Sequence, residues 1–306
     1  MPIARVADSP HTPIMLAEVL RCLQPRPGDV VVEATLGGGG HAQALLTRIA
    51  PSGTLLGLDV DGVALIRTAE RLRQLDLGGA RLMAQQASFA DLADAMRAAE
   101  LPAANAILVD LGVSSMQMDD PARGLYYKAV GPLDLRLDLT RGEPASAWLA
   151  RQDAATLARV LRDHADEPHA TFIAARLLEA RVATTHALER VVRTSLMQAY
   201  PDLALADAKL SVRRTLQALR IAVNDEFTAL DRLLEALPRC LTPGGRVAIL
   251  TFHSGEDRRV KLAFREGRRA GVYSAVAREV IRSTMEETRA NRRASSAKLR
   301  WAVRRR

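Results

Sequence analysis

Four consecutive glycines follow an apolar run near the start of the chain, and these residue types are suited to binding a cofactor. The stretch V-V-V-E-A-T-L-G-G-G-G-H spans Val30 to His41. A β-branched apolar run is typical of a buried parallel strand, and glycines let the backbone turn sharply beside a ligand. A helix-compatible segment, 41–49, follows, so the pattern is the strand, turn and helix that open a nucleotide-type cofactor site. The glycines alone also fit a tight strand–helix turn without a ligand.

Two acidic residues stand at the ends of later apolar runs. Asp59 lies 19 positions after Gly40, at the end of the predicted strand 54–58. In nucleotide-binding βαβ units an acid about 20 residues on binds the ribose hydroxyls. Asp110 ends the run A-I-L-V-D and should reach the same carboxyl edge, where open α/β sheets bind ligands. Helix N-capping is the alternative for Asp59 and for Asp61.

Two further side chains are candidates by their position after predicted strands. Phe89 follows the short strand 80–85, where its ring could flank a flat ligand or equally join the core. His253 follows the buried strand 246–252 and begins a basic helix. Its imidazole is a candidate for proton transfer, and capping the helix or bonding a neighbouring carboxylate is the alternative.

The elements that must position these residues indicate an α/β fold with a doubly wound, mostly parallel sheet. Strands and helices alternate in segment 1–117 and return in segment 211–306. Between them, over 118–210, the alternation gives way to helical segments, which predicts a helical insertion. Periodicity predicts one long helix over 211–237, ended by a proline.

Composition excludes several classes of protein. Apolar residues make up 48% of the 306 residues, enough for a core, and charged residues 25%. No apolar run reaches about 18 residues, and the N-terminus lacks a signal-peptide apolar segment, so we expect a cytoplasmic protein without membrane contact. Cys22 and Cys240 match no metal or disulfide spacing.

The positive charge is concentrated near the C-terminus. The chain carries a net charge of +8, and segment 278–306 alone carries ten basic and three acidic residues. A basic patch on a neutral body is the electrostatic footprint of a phosphate-backbone binder. A solvated tail is the alternative.

Longer motifs run along almost the whole chain, from His11 to about Arg304. They include E-A-T-L-G-G-G-G-H (33–41), D-V-D (59–61), L-V-D-L-G-V-S-S-M-Q-M-D-D (108–120), G-P-L-D-L-R-L-D (131–138), L-Q-A-L-R-I-A-V-N-D-E (216–226) and F-H-S-x-E-D-R-x-V-K (252–261). In this combination the sequence resembles the S-adenosylmethionine-dependent methyltransferases called RsmH or MraW.

The resemblance implies a Rossmann-like class I methyltransferase domain, 1–117 and 211–306, with an inserted helical substrate-recognition domain, 118–210. It implies N4-methylation of a cytidine in the decoding region of 16S ribosomal RNA, with ribosomal RNA or the small ribosomal subunit as partner. The implied contacts to the S-adenosyl-L-methionine cofactor are Gly39, Gly40, His41, Asp59, Phe89, Asp110 and Gln117. Of these, His41, Phe89 and Gln117 rest mainly on the resemblance.

The implied chemistry needs no metal, because the sulfonium methyl group is already activated. Alignment of the cytosine amine with the methyl group should dominate catalysis. An acceptor near the amine would take its proton, and Asp110 is the first candidate, with His253 in second rank. Candidate phosphate contacts are Arg123, Arg136, Arg213, Arg214, Arg258, Arg259 and the C-terminal arginines.

Three other functions compete with this interpretation. A paralogous methyltransferase acting on another RNA fits the departures from the family in the substrate half, such as L-S-V-R-R at 210–214. A non-catalytic RNA-binding assembly protein would also keep the fold. A nicotinamide-dependent oxidoreductase shares the glycine turn, but the spacing G-G-G-G-H is not G-x-G-x-x-G. A homodimer is left open by the sequence.

Overall fold

The computed structural model describes residues 13–306 of the chain, so the predicted start of the first helix, at His11, lies outside the described residues. The chain divides into two compact units. One comprises the chain up to Gly112 together with Thr228–Arg306, and the other is Val113–Phe227.

The first unit is built on one eight-stranded sheet. Its strands are β1 (Val30–Glu33), β2 (Thr54–Asp59), β3 (Arg81–Gln86), β4 (Ala104–Asp110), β5 (Leu241–Thr251), β6 (Tyr273–Val276), β7 (Ile281–Arg282) and β8 (Lys298–Arg304). Their order is β3-β2-β1-β4-β5-β8-β6, with β7 paired to β8. Strands β1 to β5 are parallel, and β8 is antiparallel to β5, β6 and β7. The predicted doubly wound, mostly parallel sheet is confirmed.

Thirteen helices lie in the described part of the chain. They are α1 (Leu16–Leu23), α2 (Gly40–Ile49), α3 (Gly62–Arg73), α4 (Leu92–Ala98), α5 (Ser115–Asp119), α6 (Ala145–Ala150), α7 (Ala154–Ala165), α8 (Ala170–Ala180), α9 (Thr185–Ala199), α10 (Leu205–Asn224), α11 (Glu226–Cys240), α12 (Ser254–Arg269) and α13 (Met285–Ala290). None of the helices within 13–306 has the length and apolar character needed to cross a bilayer.

The inner strands are buried on both faces. In β1, Val32 belongs to a core cluster with Ile107 of β4 and Leu233 of α11. The adjacent Val31 points to the opposite cluster, which contains Leu45 of α2. Because side chains alternate across a strand, an unbroken apolar run supplies both cores at once. This sandwiched sheet fixes where the strand ends lie.

The second unit is helical and has its own core. Leu161 of α7 packs in one cluster with Val212 and Leu219 of α10. Since α10 shares this core, the unit extends over 113–227, whereas the predicted inserted domain covers only 118–210.

The prediction of one long helix over 211–237 was wrong. The chain forms α10 and α11 instead, separated at Asp225, whose φ is +50°. The Asp225 N–H bonds to the Ile221 carbonyl and closes α10. Aspartate tolerates the left-handed conformation better than most residues, so no glycine marks this break in the sequence. Pro238 lies inside α11, which ends at Cys240.

Candidate active site

The glycine turn joins β1 to α2 and requires glycine at one position above all. Gly39 caps α2 with φ +71°. A Cβ on Gly39 would lie 2.6 Å from Thr68 Cγ2, whereas one on Gly38 would meet nothing within 4 Å. The turn is closed by a hydrogen bond from Gly39 N–H to the Leu36 carbonyl, at 2.8 Å. The backbone therefore passes close to α3 at Gly39 and is open at Gly38.

Side chains of α3 anchor the same turn. Thr68 Oγ donates to the Gly37 carbonyl at 2.6 Å, and Arg71 Nη2 donates to the Gly38 carbonyl at 2.6 Å. These bonds hold both carbonyl groups toward α3. Sequence reasoning missed Thr68 and Arg71, since nothing in a helix-periodic segment marks two of its polar residues as anchors of a distant turn.

Asp59 ends β2 beside the glycine turn. One carboxylate oxygen accepts from Gly37 N–H at 2.8 Å, and the other accepts from Asp61 N–H at 2.9 Å. Burial raises the pKa of Asp59, although these two bonds oppose the rise. Asp61 accepts from the backbone N–H groups of Val63 and Ala64, so the N-cap interpretation is confirmed for Asp61.

Glu33 and Asp110 end the neighbouring strands β1 and β4, and each has a buried oxygen without a hydrogen-bond partner among the described residues. Glu33 is only 1% exposed, and burial together with the charges of Asp110 and Asp59 raises its pKa well above the usual range. Burial, and then the charge of Glu256, raises the pKa of Asp110 to about 7. A buried unpaired carboxyl group is costly, so this edge of the sheet favours a positively charged ligand.

Sequence reasoning missed Glu33 as a site residue. The signal was present, because Glu33 is a charged residue that follows the valines of β1 and lies four positions before Gly37, the first glycine of the turn. Charged residues are rare in buried strands, and those that occur there often belong to a functional site.

His41 lies in the first turn of α2 and contacts Asp110. The ring is 4% exposed, and its Nε2 is 3.0 Å from the Ile14 carbonyl oxygen. Because a carbonyl only accepts, Nε2 carries the proton and Nδ1 has a lone pair. Nδ1 lies 3.6 Å from Asp110 Oδ2. Burial lowers the pKa of His41 to about 4, so the ring is neutral at pH 7.

Phe89 and His253 lie at the carboxyl ends of β3 and β5. Phe89 begins a short 3-10 turn and packs, half-buried, against the core. His253 caps α12: its Nδ1 accepts from Glu256 N–H, and its Nε2 lies 3.1 Å from Glu256 Oε1. The structure therefore gives His253 the capping contact and the carboxylate contact that were its alternatives to catalysis.

The remaining predicted site residue, Gln117, belongs to the second unit. It forms a capping box with Ser114 at the start of α5 and is 8% exposed. In the same unit Arg136 donates twice to the Asp134 carboxylate and once to the Leu139 carbonyl. The guanidinium of Arg136, predicted as a phosphate contact, is thus engaged within its own loop.

Part of the basic C-terminal segment is also engaged internally. Arg300 is 6% exposed and donates to Asp257 Oδ1 at 2.6 Å, and Lys298 Nζ lies 3.9 Å from Asp257 Oδ2. Arg304 donates to the Leu241 carbonyl. The other basic residues of this segment are exposed, namely Arg278, Arg282, Arg289, Arg292, Arg293, Arg305 and Arg306.

Helix α12 adds a second exposed basic surface. Arg259, a predicted phosphate contact, is half-buried, with Nε 3.4 Å from Asp231 Oδ1. The other five basic residues of the helix recur at helical spacing and share one face. They are Arg258, Lys261, Arg265, Arg268 and Arg269, and all five are exposed.

Comparison with known proteins agrees with this architecture. The family described as the MraW methylase family matches residues 8–305. Ribosomal RNA small subunit methyltransferase H 2 of Alkaliphilus metalliredigens is 43% identical over 298 residues, covering 96% of this chain and 85% of that protein. Ribosomal RNA small subunit methyltransferase H 1 of Lachnoclostridium phytofermentans is 41% identical and covers 96% and 81%. The corresponding methyltransferase H of Symbiobacterium thermophilum is 38% identical and covers 96% of both chains. The chain belongs to the MraW methylase family.

Proposed function

We propose that this protein methylates N4 of a cytidine in the decoding region of 16S ribosomal RNA. The observation that carries the proposal is a group of three carboxyl groups with raised pKa at the ends of β1, β2 and β4, namely buried Glu33 and half-buried Asp59 and Asp110. They lie beside the glycine turn of an MraW-family chain. The relatives named above are small-subunit ribosomal RNA methyltransferases, and this supports the same substrate here.

S-adenosylmethionine is the cofactor, as predicted, because the chain is a methylase of this family. The residues present fit it. Its amino group and sulfonium are positively charged, and Glu33 Oε2 and Asp110 Oδ1 are buried acceptors without partners among the described residues. We assign the ribose hydroxyls to Asp59. The other proposed contacts are Gly39, Gly40, His41, Phe89 and Gln117.

When bound, the cofactor supplies an activated methyl group. The chain's own task is then to hold the cytosine amine in line with it and to accept a proton. Asp110 suits the second role because its pKa of about 7 lets it take up a proton near neutral pH. The neutral ring of His41 offers the Nδ1 lone pair 3.6 Å from Asp110 Oδ2 and can receive a hydrogen bond from protonated Asp110. His253 ranks second, since Glu256 engages its ring.

The target base must leave its stack in the RNA to reach the cofactor site, so the protein must also bind the RNA backbone. We assign this role to the exposed basic residues of α12 and of segment 278–306. A substrate in the small ribosomal subunit would place the protein in the cytoplasm.

The test is methyl transfer from labelled S-adenosylmethionine to small ribosomal subunits from cells that lack the gene, with mass spectrometry of the digested RNA. We expect label in N4-methylcytidine. Label in another nucleoside would identify a methyltransferase with a different target. Cofactor binding without transfer to the subunits would favour a paralogous methyltransferase that acts on another RNA, or a non-catalytic assembly protein.

A further inference from the structure

A single peptide group connects the C-terminal segment to the ring of His41. The carbonyl of Ile14 accepts from His41 Nε2 at 3.0 Å. The N–H of Met15, in the same peptide group, donates to Glu287 Oε1 of α13 at 2.6 Å. Hydrogen bonds in a chain polarise one another, so a carboxylate on the N–H makes the carbonyl a stronger acceptor.

The segment that carries this peptide group is tightly held. Pro13 packs on the start of α2, where a Cβ on Gly40 would lie 3.0 Å from Pro13 Cδ. Met15 is 1% exposed and adopts φ +54°, a conformation that is strained for a residue with a side chain. Strained backbone persists only where surrounding contacts determine it, and the bond to Glu287 is such a contact.

We propose that Glu287 is a positioning residue, which fixes the tautomer and orientation of His41 through the Ile14–Met15 peptide group. The ring of His41 in turn fixes the hydrogen-bonding group that Asp110 faces. A stronger carbonyl acceptor holds the proton of His41 on Nε2. His41 Nδ1 is then unprotonated, and its lone pair faces Asp110 Oδ2, 3.6 Å from Nδ1. This inference rests on the proposed role of His41 and Asp110 at the cofactor.

The placement of Glu287 differs from that of its acidic neighbours. Of the three acids in the basic segment, Glu279 and Glu286 are exposed, whereas Glu287 is half-buried. Its own N–H donates to Thr284 Oγ at 3.1 Å, which caps α13 and fixes the helix start. Phosphate binding by the segment does not explain why Glu287 faces inward, whereas the hydrogen bond from Met15 N–H does.

The test measures the tautomer of His41 by ¹⁵N NMR of the histidine-labelled protein without cofactor, with His41→Asn used to assign the signals. In the wild type we expect Nε2 protonated and Nδ1 unprotonated. Glu287→Ala should populate the opposite tautomer and weaken S-adenosylmethionine binding about three- to tenfold, the scale of one lost hydrogen bond. Glu287→Gln should fall between the wild type and Glu287→Ala, because its amide oxygen accepts the same bond without the charge that strengthens it. Glu286→Ala is the matched control and should change neither quantity.

An unchanged tautomer in Glu287→Ala, or a proton on Nδ1 in the wild type, would overturn the inference and leave Glu287 a structural contact. If the alanine variant fails to fold, Glu287→Asp tests the same point, because its shorter side chain keeps the charge but does not reach Met15. Failure of the proposed function is recognised separately. Normal cofactor affinity in His41→Asn would remove His41 from the cofactor site, whereas the tautomer measured without cofactor still judges Glu287.

Discussion

At the scale of single residues, the site depends on three carboxyl groups that are fully or partly withdrawn from water. Glu33, Asp59 and Asp110 all have a raised pKa, and burial is the largest cause for each. Two of them lack a partner for one oxygen, within the described part of the chain. In the free protein the negative charge of these groups is therefore disfavoured, whereas a cationic ligand would stabilise it, and stability without ligand should depend on pH.

Replacing Asp110 by asparagine should stabilise the protein at alkaline pH. The folded-state pKa is about 7, against about 3.9 in the unfolded chain. As pH rises from 4 to 7 only the unfolded state ionises, so the wild type loses stability across that window, and above it the loss is constant. We expect the free energy of unfolding of Asp110→Asn to exceed that of the wild type by about 1–3 kcal/mol at pH 8 and by little at pH 4.

Urea unfolding at both pH values measures this difference. Asp94→Asn, at an exposed acid of α4, is the control and should show no such pH dependence. Equal stability of Asp110→Asn and the wild type at pH 8 would mean that Asp110 carries no unfavourable charge.

Sequence reasoning found the residues whose place in a strand is informative. Asp59 and Asp110 were identified because an acid at the end of an apolar run must lie at the carboxyl edge of a parallel sheet. The partners Ile14 and Glu287 could not be found this way. Their contacts involve backbone atoms, and Met15 and Glu287 are 272 positions apart in the chain. Such contacts produce no periodic pattern in the sequence.

At the scale of elements, the turn between β1 and α2 requires glycine at one position and not at its neighbour. Gly39 combines a positive φ with a close approach to α3, and Gly38 has neither. The two adjacent glycines therefore form a matched pair for a test.

Gly39→Ala should destabilise the fold by at least about 1–2 kcal/mol, the cost of a left-handed alanine, and should weaken cofactor binding. Gly38→Ala should change stability by less than about 0.5 kcal/mol. Thermal unfolding of both variants decides the matter. Similar losses in the two variants would contradict the geometry of the turn.

Elements with strong periodicity were predicted well, and irregular ones were not. The inner parallel strands were predicted because both of their faces are buried and apolar. The break at Asp225 was missed, since apolar periodicity continues through it and no glycine or proline marks it. Strands β6 and β7 are short and gain their pairing from β8, so their sequences alone carry little signal.

At the scale of the whole molecule, some of the basic residues form internal ion pairs that stabilise the fold, and others are exposed on the surface. The buried pair of Arg300 and Asp257 joins β8 to α12, so this arginine of the basic segment serves the fold. We propose that the exposed basic residues of α12 and of segment 278–306 contact phosphate groups. Binding to RNA should therefore weaken as salt rises.

The combined substitution of Arg258, Arg265 and Arg268 by alanine should lower RNA affinity and flatten its salt dependence. Each lost phosphate contact should reduce the slope of log affinity against log salt by about 0.7–0.9. Filter binding at several salt concentrations measures it, with Arg97→Ala on α4 as an exposed basic control. An unchanged slope would exclude this face of α12 from the RNA interface.

If the carboxyl edge of β1, β2 and β4 binds the cofactor, Glu33→Gln should bind S-adenosylmethionine more weakly than the wild type. Glutamine matches the neutral form that the raised pKa favours in the free protein, so the fold should be unaffected. Calorimetry should show a dissociation constant raised at least about tenfold, equivalent to about 1.4 kcal/mol, with thermal stability equal to or above that of the wild type. An unchanged dissociation constant in the folded variant would exclude this edge of the sheet as the cofactor site.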